Sequence, residues 1–505
     1  MLSVVLGAML AVPALIAPAA LAIGKRRPRL VGQVGALTAG LGFIGAVVLT
    51  VRAGRDADVS AVIGVLAVSA DRLGAVMLLL VFGVSAIVQS FAVRYLAGDP
   101  RAAWFTSGAS LLTAASAGLM TATTLVGLAV AWTVAGAALC LLLGTYWHLP
   151  AARDGVRRTA AAFLLGDLAL WIAVALATAQ WGTVDLRAID PAAPAGPVLP
   201  VVACLIVAAA LSRSAQIPFH RWLPATLAAP TPVSALLHAG VVNAGGILLI
   251  RLSPLVAGDL ARGLTILAGA ATMVYGAAIM LVKPDIKGAL AHSTMAQMGF
   301  MILTCGLGLW AAAVFHLVAH GFYKATLFLS SGSAIAHHRR LAARPPARPV
   351  ARRVAVINAI IAVTLPAAAL YAAVLAIPLP AGDHAAEHAL LIFAGVTGAA
   401  VTWGWLRRRP GAGGTLTAGA VLVPVSLGYV GLISAVSGFL APALPTAVPA
   451  SVTAWLVTAA AVGVLGCVAV LRWTPGRLHR AVYARVLTAG HIPSSRPDRL
   501  TGARS

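Results

Sequence analysis

One glutamate, Glu387, and four lysines, Lys25, Lys283, Lys287 and Lys324, are all that 505 residues contain of those two types. Charged residues make up 10% of the chain and hydrophobic ones 60%, whereas water-soluble domains carry about a quarter and under half. A soluble globular protein is thereby excluded. Cysteine is as sparse: Cys140, Cys204, Cys305 and Cys467 stand far apart in apolar stretches and form no CxxC pair. That excludes a disulfide scaffold, a zinc finger and a cysteine-bound iron–sulfur cluster. Phosphate loops and dinucleotide fingerprints are absent as well, so no cofactor is expected in this chain. What the sequence does have is apolar length. The fold class this implies is an all-α, polytopic membrane protein, embedded in lipid and expected in the cell (cytoplasmic) membrane.

The positive charge does not describe a nucleic-acid face. A formal net charge of +23 would suggest nucleic acid if the basic residues lined one side of a folded domain. Instead they fall in short clusters between apolar runs: Lys25 to Arg29, Arg153 to Arg158, Arg339 to Arg353, Arg407 to Arg409, and the tail from Arg472. A spanning helix takes about 20 apolar residues, and cutting at polar, Pro or Gly interruptions gives about fifteen. They fall at 2–23, 30–51, 72–93, 102–121, 125–146, 159–180, 199–216, 233–251, 263–282, 286–307, 310–336, 354–378, 389–406, 415–440 and 451–471. With the N-terminus outside and the C-terminus cytoplasmic, every basic cluster lies on the cytoplasmic side. Asp56, Asp58, Asp185, Asp190, Asp259, Asp383 and Glu387 then lie opposite. The first run has no positive charge before it and four after it, the reverse of a signal peptide, so it is expected to be kept as a helix.

Proline inside a spanning helix frees backbone carbonyls that protein or water must satisfy, commonly beside a transport path. The seventh segment breaks at Ile217-Pro218 and runs into the Pro-rich stretch Phe219 to Pro232, and the twelfth holds Pro366 at a similar depth. Broken helices 7 and 12, of opposite implied topology, suggest two inverted five-helix repeats. The expected organisation is three N-terminal helices in 1–101, a first repeat in 102–251 and a second in 252–409. Two further helices in 410–472 and a basic cytoplasmic tail in 473–505 complete it.

Ionisable residues at membrane depth cost roughly 3 kcal/mol each unless paired or hydrated, so those present are candidates for function. Lys287 opens helix ten, with His292 and Gln297 further in. Helix eleven adds His316, His320 and Lys324, each four residues after the last and therefore on one face. Imidazole titrates near neutral pH, and a desolvated lysine releases its proton more readily than a surface one, so such a row can pass protons. The alternative is polar glue between helices. A metal site on His316 and His320 lacks a nearby carboxylate, and none is expected. Arg213, at the break of helix seven, stays charged; it can set a field or hold an anion but cannot carry a proton. Asp167, in helix six, is its candidate partner or a relay residue. His238 follows on helix eight, ahead of Asn243, Gly245 and Gly246. The motif His384-Ala-Ala-Glu387-His388 matches the H-x-x-E-H of inverted zinc proteases, but a short turn between spans supplies no third ligand or cleft, and it is read as chance.

Four stretches carry a resemblance: Arg213-Ser-Ala-Gln-Ile-Pro-Phe-His-Arg-Trp-Leu-Pro, Ala229-Pro-Thr-Pro-Val-Ser-Ala-Leu-Leu-His238, Asp285-Ile-Lys-Gly-Ala-Leu-Ala-His-Ser-Thr-Met-Ala-Gln-Met-Gly and Phe315-His-Leu-Val-Ala-His-Gly-Phe-Tyr-Lys324. Together they resemble the proton-conducting antiporter-like subunits of respiratory NADH dehydrogenase and of Mrp-like cation/proton antiporters. The match is dense over 125–337 and implies a polar axis through two inverted repeats. Three departures separate the chain from the respiratory branch. Helix five, Ala131-Trp-Thr-Val-Ala-Gly136, lacks that branch's glutamate, the lysine of broken helix seven is Arg213, and the twelfth helix has no lysine. With His238-Ala-Gly-Val-Val-Asn-Ala-Gly-Gly246, the pattern is similar to the membrane subunit (DabB type) of the DAB inorganic carbon transporters. That resemblance implies a proton or cation conductor whose gradient drives carbon dioxide to bicarbonate on a large peripheral, carbonic-anhydrase-like partner (DabA type) that holds the zinc. The residues it carries over are Lys287, His292, His316, His320 and Lys324, with Arg213 and His238. A subunit of a respiratory or Mrp-type complex is the alternative, and a non-conducting anchor for a peripheral enzyme the third reading.

Overall fold

Fourteen of the fifteen expected spans coincide with helices. The computed structural model describes residues 1–63, 66–182, 184–186, 188, 196–332, 352–379, 384–445 and 477–490. The fifteenth span at 451–471, Asp190, Asp383, Cys467, residues 339–351 of the basic stretch and most of the tail lie outside them. The chain groups into two compact units.

The first unit takes Met1–Gly306, Leu317–Ser331 and the described part of Gly466–Ser505. Its helices are α1 (Leu2–Ile23), α2 (Pro28–Ala53), α3 (Arg72–Tyr95), α4 (Ala102–Thr121), α5 (Leu125–Leu143), α6 (Pro150–Trp181), α7 (Val198–Arg213), α8 (Thr231–Ala239), α9 (Ala244–Arg251), α10 (Asp259–Val282), α11 (Ile286–Gly306) and most of α12 (Trp310–Leu329). Proline starts α2 and α6, where its missing N–H costs nothing. Side chains cap others: Asp71 accepts from Gly74 N at 2.6 Å and Thr124 from Gly127 N at 3.0 Å. Helices pair α1 with α4, α2 with α3, α6 with α7 and α10 with α11. The last pair is the tightest at the backbone. A Cβ on Gly269, Gly276 or Gly299 would lie 2.5–2.6 Å from a main-chain nitrogen of the facing helix, the close approach that small residues permit where apolar side chains gain nothing by leaving lipid. Every residue of α8 is buried, which puts His238 in the interior.

Four features differ from the sequence reading or go beyond it. A two-stranded antiparallel hairpin, β1 (Val59–Ile63) with β2 (Leu66–Ala70), occupies the loop before α3. It is tied to the α4–α5 turn by Thr123 N donating to Ala67 O at 3.0 Å, and that turn is held in place by the Arg251 guanidinium on the carbonyls of Met120 and Ala122. The expected unbroken eighth helix is corrected: it divides into α8 and α9 around Gly240 and a 3-10 turn, Val241–Asn243. The expected break of the twelfth helix is also corrected. In the second unit, α13 (Arg352–Ala376) runs through Pro366 without interruption. Gly398 on α14 (Ala385–Arg408) makes room for the ring, since a Cβ there would meet Pro366 Cβ at 2.9 Å, and one lost hydrogen bond in a long apolar helix is tolerated. With α15 (Ala412–Leu440) these helices pack on one another. Finally, part of the basic tail is a helix, α16 (Arg477–Ala489), which lies against α10 of the first unit where Tyr275 Oη donates to Ala489 O at 3.0 Å.

Candidate functional site

The site begins where α7 stops. Arg213 is the last residue of that helix, Ala215 turns the chain through a positive φ of 52°, and Pro218 prevents resumption. The groups freed by the break are satisfied by protein rather than left bare in an apolar setting. Trp222 Nε1 donates to Ser212 O at 2.9 Å, Gln216 Nε2 to Ser214 O at 2.7 Å, and Ile217 N to Thr272 Oγ1 at 2.9 Å. Beyond it the Pro-rich stretch holds a 3-10 segment, His220–Thr226. The second break is stitched to the first, because Ser214 Oγ donates to Val242 O at 2.7 Å while Asn243 Nδ2 donates back to Ala239 O at 2.9 Å. Gly245 allows this contact: a Cβ would sit 2.3 Å from both Ala210 O and Ser214 Oγ.

Arg213, 1% exposed, carries its charge into the interior and finds a compensating one. Its Nη2 lies 2.7 Å from Asp167 Oδ1 on α6, and its Nη1 donates to Trp132 O at 3.1 Å. The same carboxylate oxygen accepts from Trp132 Nε1 at 2.7 Å. The guanidinium lies between the rings of Trp132 and Phe163, at 4.4 and 4.1 Å from their centroids, a cation–π arrangement strengthened by desolvation. Gly136 leaves it space, since a Cβ there would approach Nη1 and Nη2 to 2.9 Å. Gly136→Ala is therefore expected to lose about 1–3 kcal/mol through overpacking, read as a lower half-unfolding temperature in detergent. An unchanged temperature would show that the guanidinium can move aside.

A second group forms around α12. Lys324 is completely buried and its Nζ donates to Ser293 Oγ of α11 at 2.8 Å; the face of Tyr323 is 5.8 Å away. Among the described residues no carboxylate pairs with it. One turn along the same face, Phe328 stacks on His238 at 4.3 Å and 12°, which turns the end of α8 toward the α12 row. His238, 1% exposed, has an Nδ1 with no hydrogen-bond partner and lies within electrostatic reach of Lys324 and Lys287.

The remaining candidates are distributed along α11 and α12. His292 is buried beside Ser293, its Nδ1 2.8 Å from Gly288 O, and within electrostatic reach of His220 on the 3-10 segment. Lys287 is half-buried and donates to Ala229 O at 3.0 Å rather than to another titratable group. His320 is buried one turn before Lys324, and His316 precedes it by another turn, in the stretch Leu307–His316 that groups with the second unit. The structure thus joins Arg213 to Asp167 and turns His238 toward the Lys324 row. No direct hydrogen bond links the two groups among the described residues. Sequence reasoning missed Trp132, Phe163, Gly136 and Ser293, which are ordinary residues in apolar helices. Only the placement of Trp132 and Gly136 in the stretch where related chains hold a glutamate gave a signal.

Comparison with known proteins identifies the family. The family model described as NADH:quinone oxidoreductase/Mrp antiporter, TM, matches residues 122–406, and that of the NADH-ubiquinone oxidoreductase (complex I) chain 5 N-terminus matches 64–106. The chain is 38% identical to the "Probable inorganic carbon transporter subunit DabB1" of Halothiobacillus neapolitanus over 330 residues, 63% of this chain and 58% of that protein. It is 37% identical to NADH-quinone oxidoreductase subunit L of Mycobacterium tuberculosis over 52% of this chain and 43% of that one. Among solved structures, the Mrp complex from Dietzia sp. DQ12-45-1b is similar with a TM-score of 0.65 and 26% identity, covering 96% of this chain and 59% of the other. The chain therefore spans about three fifths or less of the length of these relatives. Since the first family model covers more than half of its residues, from 122 to 406, the chain belongs to the NADH:quinone oxidoreductase/Mrp antiporter transmembrane family.

Proposed function

We propose that this chain is the proton-conducting coupling subunit of an inorganic carbon pump, passing protons along Lys324, His320, His316, His292, Lys287 and His238. The observation that carries the reading is Lys324, wholly buried and, among the described residues, with only the Ser293 hydroxyl as hydrogen-bond partner. An ion held that way is costly to keep, as befits a group that exchanges its proton rather than one that glues helices. Arg213, fixed on Asp167, supplies a permanent field beside the path. Similarity to a named inorganic carbon transporter subunit at 38% identity supports the coupling partner: a peripheral, carbonic-anhydrase-like chain on which zinc would activate water for attack on carbon dioxide. The task proposed for this chain itself is charge movement. Each proton crossing 100 mV supplies about 2.3 kcal/mol, enough to bias hydration strongly. The orientation is N-terminus outside in the cell membrane, with two inverted repeats around the path.

A second reading, a subunit of an Mrp-type cation/proton antiporter, is favoured by the likeness covering 96% of the chain. Purification from native membranes in mild detergent, with partner identification and metal analysis, separates the two. A large zinc-containing partner is the expected result. Sibling antiporter-like chains, or flavin and iron–sulfur, would overturn the carbon-pump reading.

A further inference from the structure

Away from the titratable row, α3 and α4 hold a line of hydroxyl and amide side chains between two cavities. The first cavity, about 390 Å³, lies where α2 begins, α3 ends and α4 begins, with Arg29, Arg94, Thr106 and Gln89 in its wall. The second, about 40 Å³, is lined by Ser85, Thr113, Asn243, Gly240 and Leu80, directly at the break between α8 and α9. Gln89 Nε2 donates to Ser85 Oγ at 2.9 Å, Ser85 Oγ is 2.7 Å from Thr113 Oγ1, and Thr113 Oγ1 donates to Ala109 O at 2.7 Å. All three side chains are 4% exposed or less. This order fixes the amide. Thr113 spends its proton on Ala109 and Ser85 spends its own on Thr113, so Ser85 must receive an N–H, which leaves Gln89 Oε1 without a hydrogen-bond partner. Asn243 Oδ1, at the other end, is also unpaired. Two buried unpaired acceptors beside cavities are sites for water, and 40 Å³ exceeds the roughly 10–15 Å³ one water needs.

We infer that α3 and α4 form a water-filled exit by which protons leave the titratable row. The inference rests on the proton path proposed above. Both hydroxyls must first turn over, Thr113 from Ala109 O toward Ser85 Oγ and Ser85 from Thr113 Oγ1 toward the outer cavity; water in the second cavity, at Asn243, then hands a proton to Thr113 Oγ1, which releases its own toward Ser85 Oγ. Ser85 in turn gives one to water in the first cavity, so each oxygen gains one O–H bond and breaks one. An amide does not relay in this way. In the conformation described, the Gln89 N–H occupies the Ser85 oxygen, and Gln89 is the positioning residue that must swing toward the cavity before water reaches Ser85. The α12 helix adjoins the inner cavity, because a Cβ on Gly321, three residues before Lys324, would meet Leu80 Cδ1 at 2.4 Å. Direction follows from the proposed orientation. Arg29 and Arg94 stand exposed at the rim of the outer cavity, on the side that an outside N-terminus makes cytoplasmic, and an inward-directed gradient releases protons there.

The test is proton flux in native membrane vesicles containing the full chain. Thr113→Val and Gln89→Leu should each lower the flux at least tenfold, and Thr113→Ser, which keeps the hydroxyl, should restore it. Wild-type flux in both blocked variants, with Lys324→Ala inactive, overturns the exit and leaves the path standing; wild-type flux in Lys324→Ala overturns the path itself. Should the valine and leucine variants fail to assemble, Ala92→Cys in a cysteine-free background gives a second reading, since Ala92 lines the outer cavity. A charged, impermeant thiosulfonate applied from the Arg29 side should modify the introduced thiol and stop the flux. A thiol that stays unreactive there, or modification that leaves the flux intact, overturns the exit.

Discussion

Lys324→Met is expected to abolish ion-coupled activity, by a factor of at least one hundred, while leaving the complex assembled and as stable as the parent or more so. The two halves of that result have one cause. Lys324 is fully buried on α12 and, among the described residues, its ammonium has only Ser293 Oγ, 2.8 Å away, as hydrogen-bond partner. Removing a buried charge that lacks a counter-charge relieves desolvation, and replacing it with an apolar side chain of similar length keeps the packing, so the net change ranges from neutral to about 4 kcal/mol stabilising. If Lys324 were glue between α11 and α12, the same substitution would lower the unfolding temperature and reduce activity only in proportion to lost protein. Activity measured per assembled complex, beside the half-unfolding temperature, separates the two. Retained activity per complex would remove Lys324 from the path.

That residue was legible because of its rarity. One of four lysines in 505 residues, placed four after His320 and eight after His316, declares itself against an apolar background, and helical spacing alone puts the three on one face. The helices were legible for a similar reason, since twenty-residue apolar runs have few alternatives in a bilayer. Elsewhere the signal was too weak or belonged to tertiary contacts. The hairpin at Val59–Ala70 is short, and its strands are ordered by bonds to the α4–α5 turn that no local pattern records. Gly240 reads as one more glycine in an apolar run, yet the chain breaks there because Asn243 and Ser214 supply the hydrogen bonds that a continuing helix would have made. Pro366 has the opposite history. It carries the strongest helix-breaking signal in its segment, and Gly398 on a neighbouring helix, 32 positions later, cancels it. The aromatic sandwich around Arg213 was hidden in the same way, because Trp132 and Phe163 belong equally well in any lipid-facing helix until the fold brings them together.

Asp167→Ala is expected to destabilise the protein by about 3–5 kcal/mol, the largest stability loss of any substitution considered. Arg213 loses the only carboxylate paired with it among the described residues, Trp132 Nε1 loses the oxygen on which it donates, and a guanidinium 1% exposed is left without that counter-charge. The double substitution Arg213→Met with Asp167→Leu should recover most of that loss, because it removes both charges and fills the space with apolar volume, for which buried pairs give neutral or favourable balances. A double-mutant cycle on unfolding temperature and chaotrope sensitivity measures the coupling, which is expected to exceed about 2 kcal/mol, the upper part of the range for residues in direct contact. Activity supplies the second readout. A purely structural pair would regain function along with stability in the double variant. A fixed positive charge that shapes the proton's energy along α8 and α12 would not, since Arg213 keeps its proton and acts through its field. The expected outcome is a stable, assembled and inactive double variant; one that is stable and active would confine Arg213 and Asp167 to holding α6 against the end of α7.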